Sequence, residues 1–116
     1  MFKIQYIDNR EIAEGICPEI KADEMLFALN EDGIFKGTAI CENENDTVII
    51  KSVCAPYEDA RLLMFLSMLN YAERHGIKKA CCINEELRDL CERMHFDNDM
   101  KVSLEGFFVS GRHCRD

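Results

Sequence analysis

The sequence predicts a mixed α/β (α+β) domain, in which a mostly antiparallel sheet carries helices on both of its faces. Short apolar runs between polar turns fill the first half, and a long helical stretch, a strand and a second helix follow. The chain has 116 residues, of which 47% are apolar and 31% charged. This length and composition suit a single domain, residues 1–116, with one modest core.

The first half of the chain predicts one short helix and four strands. Alternating apolar residues indicate a strand at residues 2–7, and Asp8 or Asn9 can cap a helix at residues 10–15. An antiparallel meander follows, because Asp32-Gly33 and the polar run 42–46 are typical of hairpin turns. Its strands are expected at residues 25–29, 34–41 and 47–54.

The second half predicts two further helices, each followed by a strand. Residues 58–75 form a long helical stretch that ends at Gly76, since glycine commonly closes a helix. Residues 77–83 are expected to be a strand, and Asn84 is suited to cap a helix at residues 85–94. A final strand or pair of strands is expected within residues 101–109.

The long helix has one wide apolar face on a helical wheel. That face comprises Leu62, Met64, Phe65, Met68, Leu69 and Ala72, and it can cover a sheet. Leu63 and Leu66 fall outside it, beside polar residues. Two interpretations stay open for these two leucines: contact with another element of the same domain, or a surface through which the protein forms a homodimer.

The charge balance and the cysteines exclude several classes of partner. With 22 acidic and 14 basic residues, the net charge of −8 disfavours nucleic acids and anionic membrane surfaces. No apolar run could span a membrane and the first residues lack a signal peptide's apolar segment, so we expect a cytoplasmic protein. Because the seven cysteines show no CxxC spacing, we expect reduced thiols and no metal site.

The segment from Thr47 to Phe96 resembles the GNAT (Gcn5-related N-acetyltransferase) family. From Val48 it reads VIIKSVCAPYEDARLLMFLSMLNYAERHGIKKACCINEELRDLCERMHF. A strand, a loop, a long helix, a strand, an asparagine and a helix follow one another in the family's order, and the ending LCERMHF is similar to the family's ending. The resemblance covers about half of the chain, and the earlier hairpins fit the same fold.

The resemblance implies an N-acetyltransferase that moves an acyl group from acetyl-CoA to an amine of a small molecule or peptide. In the family, the central strands splay apart to admit the pantetheine arm, and the next helix N-terminus faces the diphosphate. Cys91 takes the place of the family's tyrosine general acid, and Glu24 or Glu42 are candidate general bases. The implied donor site comprises Val53, Ala55, Asp59, Ala60, Arg61, Leu62, Leu63 and Asn84.

An alternative stays open, a catalytically silent GNAT-fold module that binds a partner or itself. Arg61 and Leu63 stand where the family has loop glycines, and Glu58 and Asp59 place negative charge where a diphosphate would arrive. Residues 9–23 leave room for only one short helix between the first two strands. The acceptor groove would then be open or completed by a second subunit.

Overall fold

A six-stranded sheet organises the computed structural model, which describes residues 2–107. The strands lie side by side in chain order, and every neighbouring pair is antiparallel except β4 and β5, which are parallel. A parallel pair needs a crossover connection, which the longest helix supplies here. The strands are β1 (Phe2–Ile7), β2 (Glu24–Glu31), β3 (Ile34–Glu44), β4 (Thr47–Cys54), β5 (Lys79–Cys82) and β6 (Lys101–Ser103).

Helices cover both faces of the sheet, as the sequence predicts. The α-helices of residues 2–107 are α1 (Arg10–Ile16), α2 (Glu58–Arg74) and α3 (Arg88–Arg93). Helix α1 begins at Asn9, whose side-chain oxygen accepts a hydrogen bond from the backbone N–H of Ile12. None of these helices has the length and hydropathy that crossing a bilayer requires.

The larger part of the core lies between the sheet and α2. Helix α2 buries Met64, Phe65, Met68 and Leu69 completely against the sheet, which confirms the predicted apolar face. The opposite face of the sheet carries a smaller cluster, formed by Ala13, Ile20 and Leu26 beneath α1. Since α1 is short, it covers only the β1–β3 side of that face, and the other half of the sheet lies open there.

The elements after α2 are shorter than the sequence predicts. Ile77 donates its backbone N–H to Ala72, so it closes α2 and does not begin β5. The expected helix at 85–94 is divided, because Leu87 bonds back to Asn84 in a 3₁₀ turn (Glu85–Leu87) before α3 begins. The last strand, β6, ends at Ser103, and the end of the predicted range 101–109 lies outside the described residues.

Candidate functional site

The parallel strands β4 and β5 separate before β4 ends. Their pairing joins residues 47–50 to residues 79–82, and the backbone N–H of Ile83 donates to Ile50 at the last rung (3.1 Å). Within residues 2–107, no backbone hydrogen bond joins residues 51–55 to the chain that follows β5. The last residues of β4 therefore present a free edge, and we call the opening between this edge and residues 83–84 the β4–β5 gap.

A bulge in β4 lies at the point where the strands part. Strand β3 pairs Ile40 with Ser52 and Cys41 with Ile50, so Lys51 is one residue in excess on β4. Bulges bend their strand and increase its local twist. The extra residue thus turns the end of β4 away from β5 while β4 stays paired to β3.

Two carboxylates hold the side chain of this bulged lysine. The Nζ atom of Lys51 lies 2.9 Å from Glu24 Oε2 and 2.6 Å from Glu42 Oε1. Burial raises the pKa of Glu24, but the hydrogen bonds from Lys51 and from the Lys21 backbone outweigh it, so the pKa lies below its ordinary value. These hydrogen bonds occupy both oxygens of Glu24, which makes it the weaker of the two candidate general bases.

Asn84 bridges the two walls of the gap at its closed end. Its side-chain oxygen accepts from the backbone N–H of Glu86 (3.0 Å), and its side-chain nitrogen donates to the Lys51 carbonyl (3.2 Å). The first bond caps the 3₁₀ turn, as the sequence predicts. The second bond ties β4 to the end of β5 at the bulge, so Asn84 fixes where the gap begins.

Apolar side chains line the gap. Val53 and Ala55 are half-buried on the β4 wall, and Leu62 packs against the core below them. Ile83 stands on the β5 wall and is 62% exposed. Leu63 is 43% exposed on the surface of α2. The walls offer apolar surface beside unpaired backbone groups.

Acidic residues and one engaged arginine occupy the N-terminus of α2 beside the gap. Glu58 and Asp59 lie in its first turn, Ala60 is fully buried, and Tyr57 precedes the helix without a side-chain cap. The two terminal nitrogens of Arg61 lie 3.0 and 3.3 Å from the carboxylate oxygens of Asp89. Arg61 therefore links α2 to α3 beside the gap, and we call residues 57–61 together with residues 85–89 the mouth of the gap.

Solved structures of acetyltransferases match this arrangement of strands and helices. The ribosomal-protein-S18-alanine N-acetyltransferase of Escherichia coli matches with a TM-score of 0.66 at 12% identity, over 84% of this chain and 78% of that chain. A GNAT family acetyltransferase from Elizabethkingia anophelis with acetyl-CoA bound matches with a TM-score of 0.57 at 9% identity, over 79% and 72%. This chain has the GNAT fold.

A third structure with the GNAT fold, a Bacillus subtilis acetyltransferase in complex with CoA, matches with a TM-score of 0.62. Its sequence is 12% identical, over 80% of this chain and 74% of that chain. No protein-family model matches this sequence, and no curated protein matches it. The likeness to these solved structures therefore lies in the fold.

Cys91 lies inside the GNAT fold and not on the surface of the gap. Its side chain is buried in α3, 1% exposed, in contact with the thiol of Cys82. Burial raises the pKa of Cys91 to about 12. A thiol with this pKa gives up its proton less readily than the reference thiol at about 8.5. The role of Cys91 as proton donor stays a prediction that this burial makes chemically unfavourable.

Two residues that shape the gap were missed by the sequence reasoning. A Cβ atom on Gly37 would lie 2.8 Å from the carbonyl oxygen of Cys54 and 3.3 Å from Cα of Ala55, so only glycine lets β3 approach the end of β4 this closely. A glycine inside a strand is itself a signal of close backbone approach. Lys51 interrupts the apolar run of β4, but a single lysine does not reveal a bulge.

Two concave regions lie outside the gap. A cavity of about 570 Å³ lies on the sheet face opposite α2, with Ile49 and Cys81 in its floor and Lys79 and Lys101 at its rim. A second cavity, of about 350 Å³, lies between β1 and α2 beside an aromatic cluster that includes Tyr71. Within the described part of the chain, no group of His, Cys, Asp or Glu side chains is arranged to hold a metal ion.

Proposed function

We propose that this protein transfers an acyl group, such as acetyl, from a CoA thioester to an amine of a small molecule or peptide. The β4–β5 gap is the observation that carries the proposal. Its free β4 edge can pair with the amide groups of a pantetheine arm, much as an added strand pairs with a sheet edge. The solved neighbours with CoA or acetyl-CoA bound support the same class of donor.

The residues around the gap fit the pantetheine arm of this donor better than its diphosphate. Val53, Ala55 and the exposed Ile83 supply apolar surface for an extended aliphatic arm. The first turn of α2 offers free backbone N–H groups, but Glu58 and Asp59 bring two negative charges to the same place. The chain therefore fits the pantetheine arm and not the diphosphate.

The chemistry of the proposed transfer requires mainly positioning and polarisation. The lone pair of the amine attacks the thioester carbonyl carbon, a C–N bond forms, the C–S bond breaks, and the thiolate leaves as the nitrogen loses a proton. Backbone N–H groups on the free β4 edge beyond Lys51 could stabilise the developing oxyanion in this proposal. Glu42 is the better candidate base, because only one of its oxygens is hydrogen-bonded among the described residues.

The acceptor would approach from the sheet face opposite α2. Helix α1 leaves the β4–β6 half of this face open, and the larger cavity begins there beside Ile49 and Cys81, next to the last paired residues of β4 and β5. A small amine or a peptide terminus can enter an open groove of this kind. We expect the reaction in the cytoplasm, where the thiols of this chain stay reduced.

Calorimetric titration with acetyl-CoA and with free CoA tests the proposal. Binding in the native state must also raise the thermal stability. Ile83→Asp should weaken CoA binding at least about tenfold, because it places a charge on the apolar wall. Ile12→Asp is the matched control: Ile12 is 50% exposed on α1, which packs beside β1, and its replacement should leave binding unchanged.

The outcomes separate the two candidate functions. Absence of binding of both CoA and pantetheine at millimolar concentration would reject the transferase and leave the silent module, for which the exposed Leu63 and the half-buried Leu66 are the candidate homodimer surface. Equal weakening by the two aspartate variants would mean that binding occurs away from the gap. A released free thiol in the presence of an amine, followed with a chromogenic disulfide, would establish turnover.

A further inference from the structure

The guanidinium of Arg61 has little donor capacity left for a ligand. Its Nη1 atom contacts Asp89 (3.0 Å) and Glu58 (3.5 Å), and its Nη2 atom contacts Asp89 (3.3 Å) and the carbonyl oxygen of Glu86 (3.0 Å). An arginine has five N–H donors, and these contacts engage all four that its terminal nitrogens carry. A diphosphate could bind both terminal nitrogens of Arg61 only by displacing Asp89.

The second arginine at the mouth of the gap is engaged in the same way. The Nη2 and Nε atoms of Arg88 lie 2.7 and 2.9 Å from the two carboxylate oxygens of Glu85, and its Nη1 atom donates to the carbonyl of Asn98 (3.4 Å). Paired arginines of this kind hold their carboxylates through two parallel hydrogen bonds. Neither arginine is therefore a free cation.

Carboxylates outnumber these two arginines at the mouth. The first turns of α2, of the 3₁₀ turn and of α3 together carry Glu58, Asp59, Glu85, Glu86 and Asp89. A nucleotide diphosphate brings further negative charge to the same region, and like charges at this range repel. The gap below has no such conflict beyond Lys51, since Val53, Ala55 and Ile83 are uncharged, and the ammonium of Lys51 at the closed end is paired with Glu24 and Glu42.

We propose that the protein recognises its acyl donor through the pantetheine arm and not through the nucleotide diphosphate. The substrate class is acyl-pantetheine thioesters, among which acetyl-CoA is only one member. The inference rests on the proposed function, because it concerns the same gap. It follows from a gap whose bordering side chains beyond Lys51 are uncharged, and from an acidic mouth whose two arginines are held by Asp89 and Glu85.

The test compares two donors that differ only in the nucleotide. Binding of CoA and of pantetheine, and turnover of acetyl-CoA and of S-acetylpantetheine, are measured on the whole protein at low and high salt. We expect the two donors to agree within about threefold, with no advantage for CoA. Between about 0.05 M and about 0.5 M salt, CoA binding should strengthen severalfold as the repulsion is screened, while pantetheine binding stays constant.

The Asp89→Asn substitution should change the relative affinity of the protein for CoA and pantetheine. With the carboxylate removed, Arg61 is released to the diphosphate, and CoA should bind about two- to fivefold more tightly, the range expected for loss of a half-exposed ion pair. Pantetheine binding should not change. Glu86→Gln is the matched control, since it removes one charge beside Asp89 while the Glu86 contact to Arg61, made by the backbone, is kept.

Each result has a definite reading. If wild-type protein binds CoA at least about tenfold more tightly than pantetheine, or if salt weakens CoA binding, the inference is overturned. It is also overturned if Glu86→Gln tightens CoA binding as much as Asp89→Asn does, because general charge would then explain both. If neither donor binds any variant, the proposed function itself fails, which is a separate outcome.

Discussion

Replacement of Lys51 by methionine tests the physical role of the bulge. Methionine keeps an unbranched apolar stem of similar length, so the loss is mainly that of the ammonium group. In the native protein this ammonium lies 2.9 Å from Glu24 and 2.6 Å from Glu42. The variant leaves Glu24, only 8% exposed, as a carboxylate without its cation.

The expected loss lies between the two limits known for ion pairs. Breaking an exposed pair costs about 0.2–1 kcal/mol, and removing one partner of a fully buried pair costs about 3–5 kcal/mol. Because Lys51 is 23% exposed and Glu24 is nearly buried, we expect the free energy of unfolding to fall by about 2 kcal/mol at pH 7. Acyl transfer should fall further than stability explains, because the bulge also sets the width of the gap.

The stability lost in Lys51→Met should depend on pH, because the substitution changes the pKa of Glu24. In the wild type the pKa of Glu24 is lowered, so its carboxylate stabilises the fold above the ordinary value of 4.5, and this contribution is lost as the pH falls through the lower folded value. In Lys51→Met, burial without a cation raises the pKa of Glu24, so acid stabilises the variant relative to the wild type. The difference between the two proteins should therefore shrink as the pH falls from 7 toward 4.

Urea unfolding at several pH values measures this difference. A second substitution, Glu24→Gln, should recover part of the loss in Lys51→Met, since it removes the unpaired charge. Lys36→Met is the control, because Lys36 pairs with Glu31 on the surface (3.2 Å) and lowers its pKa, so its loss should have a smaller effect with a weaker pH dependence of the same sign. A loss for Lys51→Met under about 0.5 kcal/mol, or one independent of pH, would refute the reasoning.

Three other substitutions probe the gap from different sides. Gly37→Ala should lower the free energy of unfolding by about 1–3 kcal/mol and weaken CoA binding, because the added Cβ would lie 2.8 Å from the backbone of β4. Gly15→Ala is the control: a Cβ there meets nothing within 4 Å, so the free energy of unfolding in urea should not fall. Asn84→Ala removes two hydrogen bonds and should lower the free energy of unfolding by about 1–2 kcal/mol. Calorimetry should also show weaker CoA binding, and unchanged binding would mean that the acyl donor binds away from the gap. Cys91→Ser should leave the acyl-transfer rate of the folded fraction unchanged, and a loss beyond about tenfold would restore the proton-donor role.

The regular elements of the first half were predictable because their signals are local. The strands Phe2–Ile7 and Thr47–Cys54 have the predicted bounds, and Asn9 caps α1 as expected. The end of α2 beside Gly76 follows from a positive φ of 78°, which glycine adopts without strain. Hairpin turns, caps and helix ends each depend on a few adjacent residues, so one sequence suffices to place them.

The second half shows where local signals stop being sufficient. The amphipathic pattern of residues 85–94 predicts one helix, but Asn84 bonds both to its own turn and to the Lys51 carbonyl, a contact across 33 positions of the chain. The segment after Asn84 starts as a 3₁₀ turn, and α3 begins only at Arg88. Pattern within the segment contains no information about this distant partner.

The sequence by itself determined the order of strands and helices, the buried face of α2 and the shortage of glycines near Arg61, because periodicity, caps and residue types are written along the chain. Only the tertiary structure decided that Lys51 is an extra residue in β4, that β4 and β5 part there, and that Arg61 is held by Asp89. Strand register and ion pairing join residues far apart in the chain. Their partners are chosen by packing of the whole sheet and its helices, and no local pattern specifies that choice.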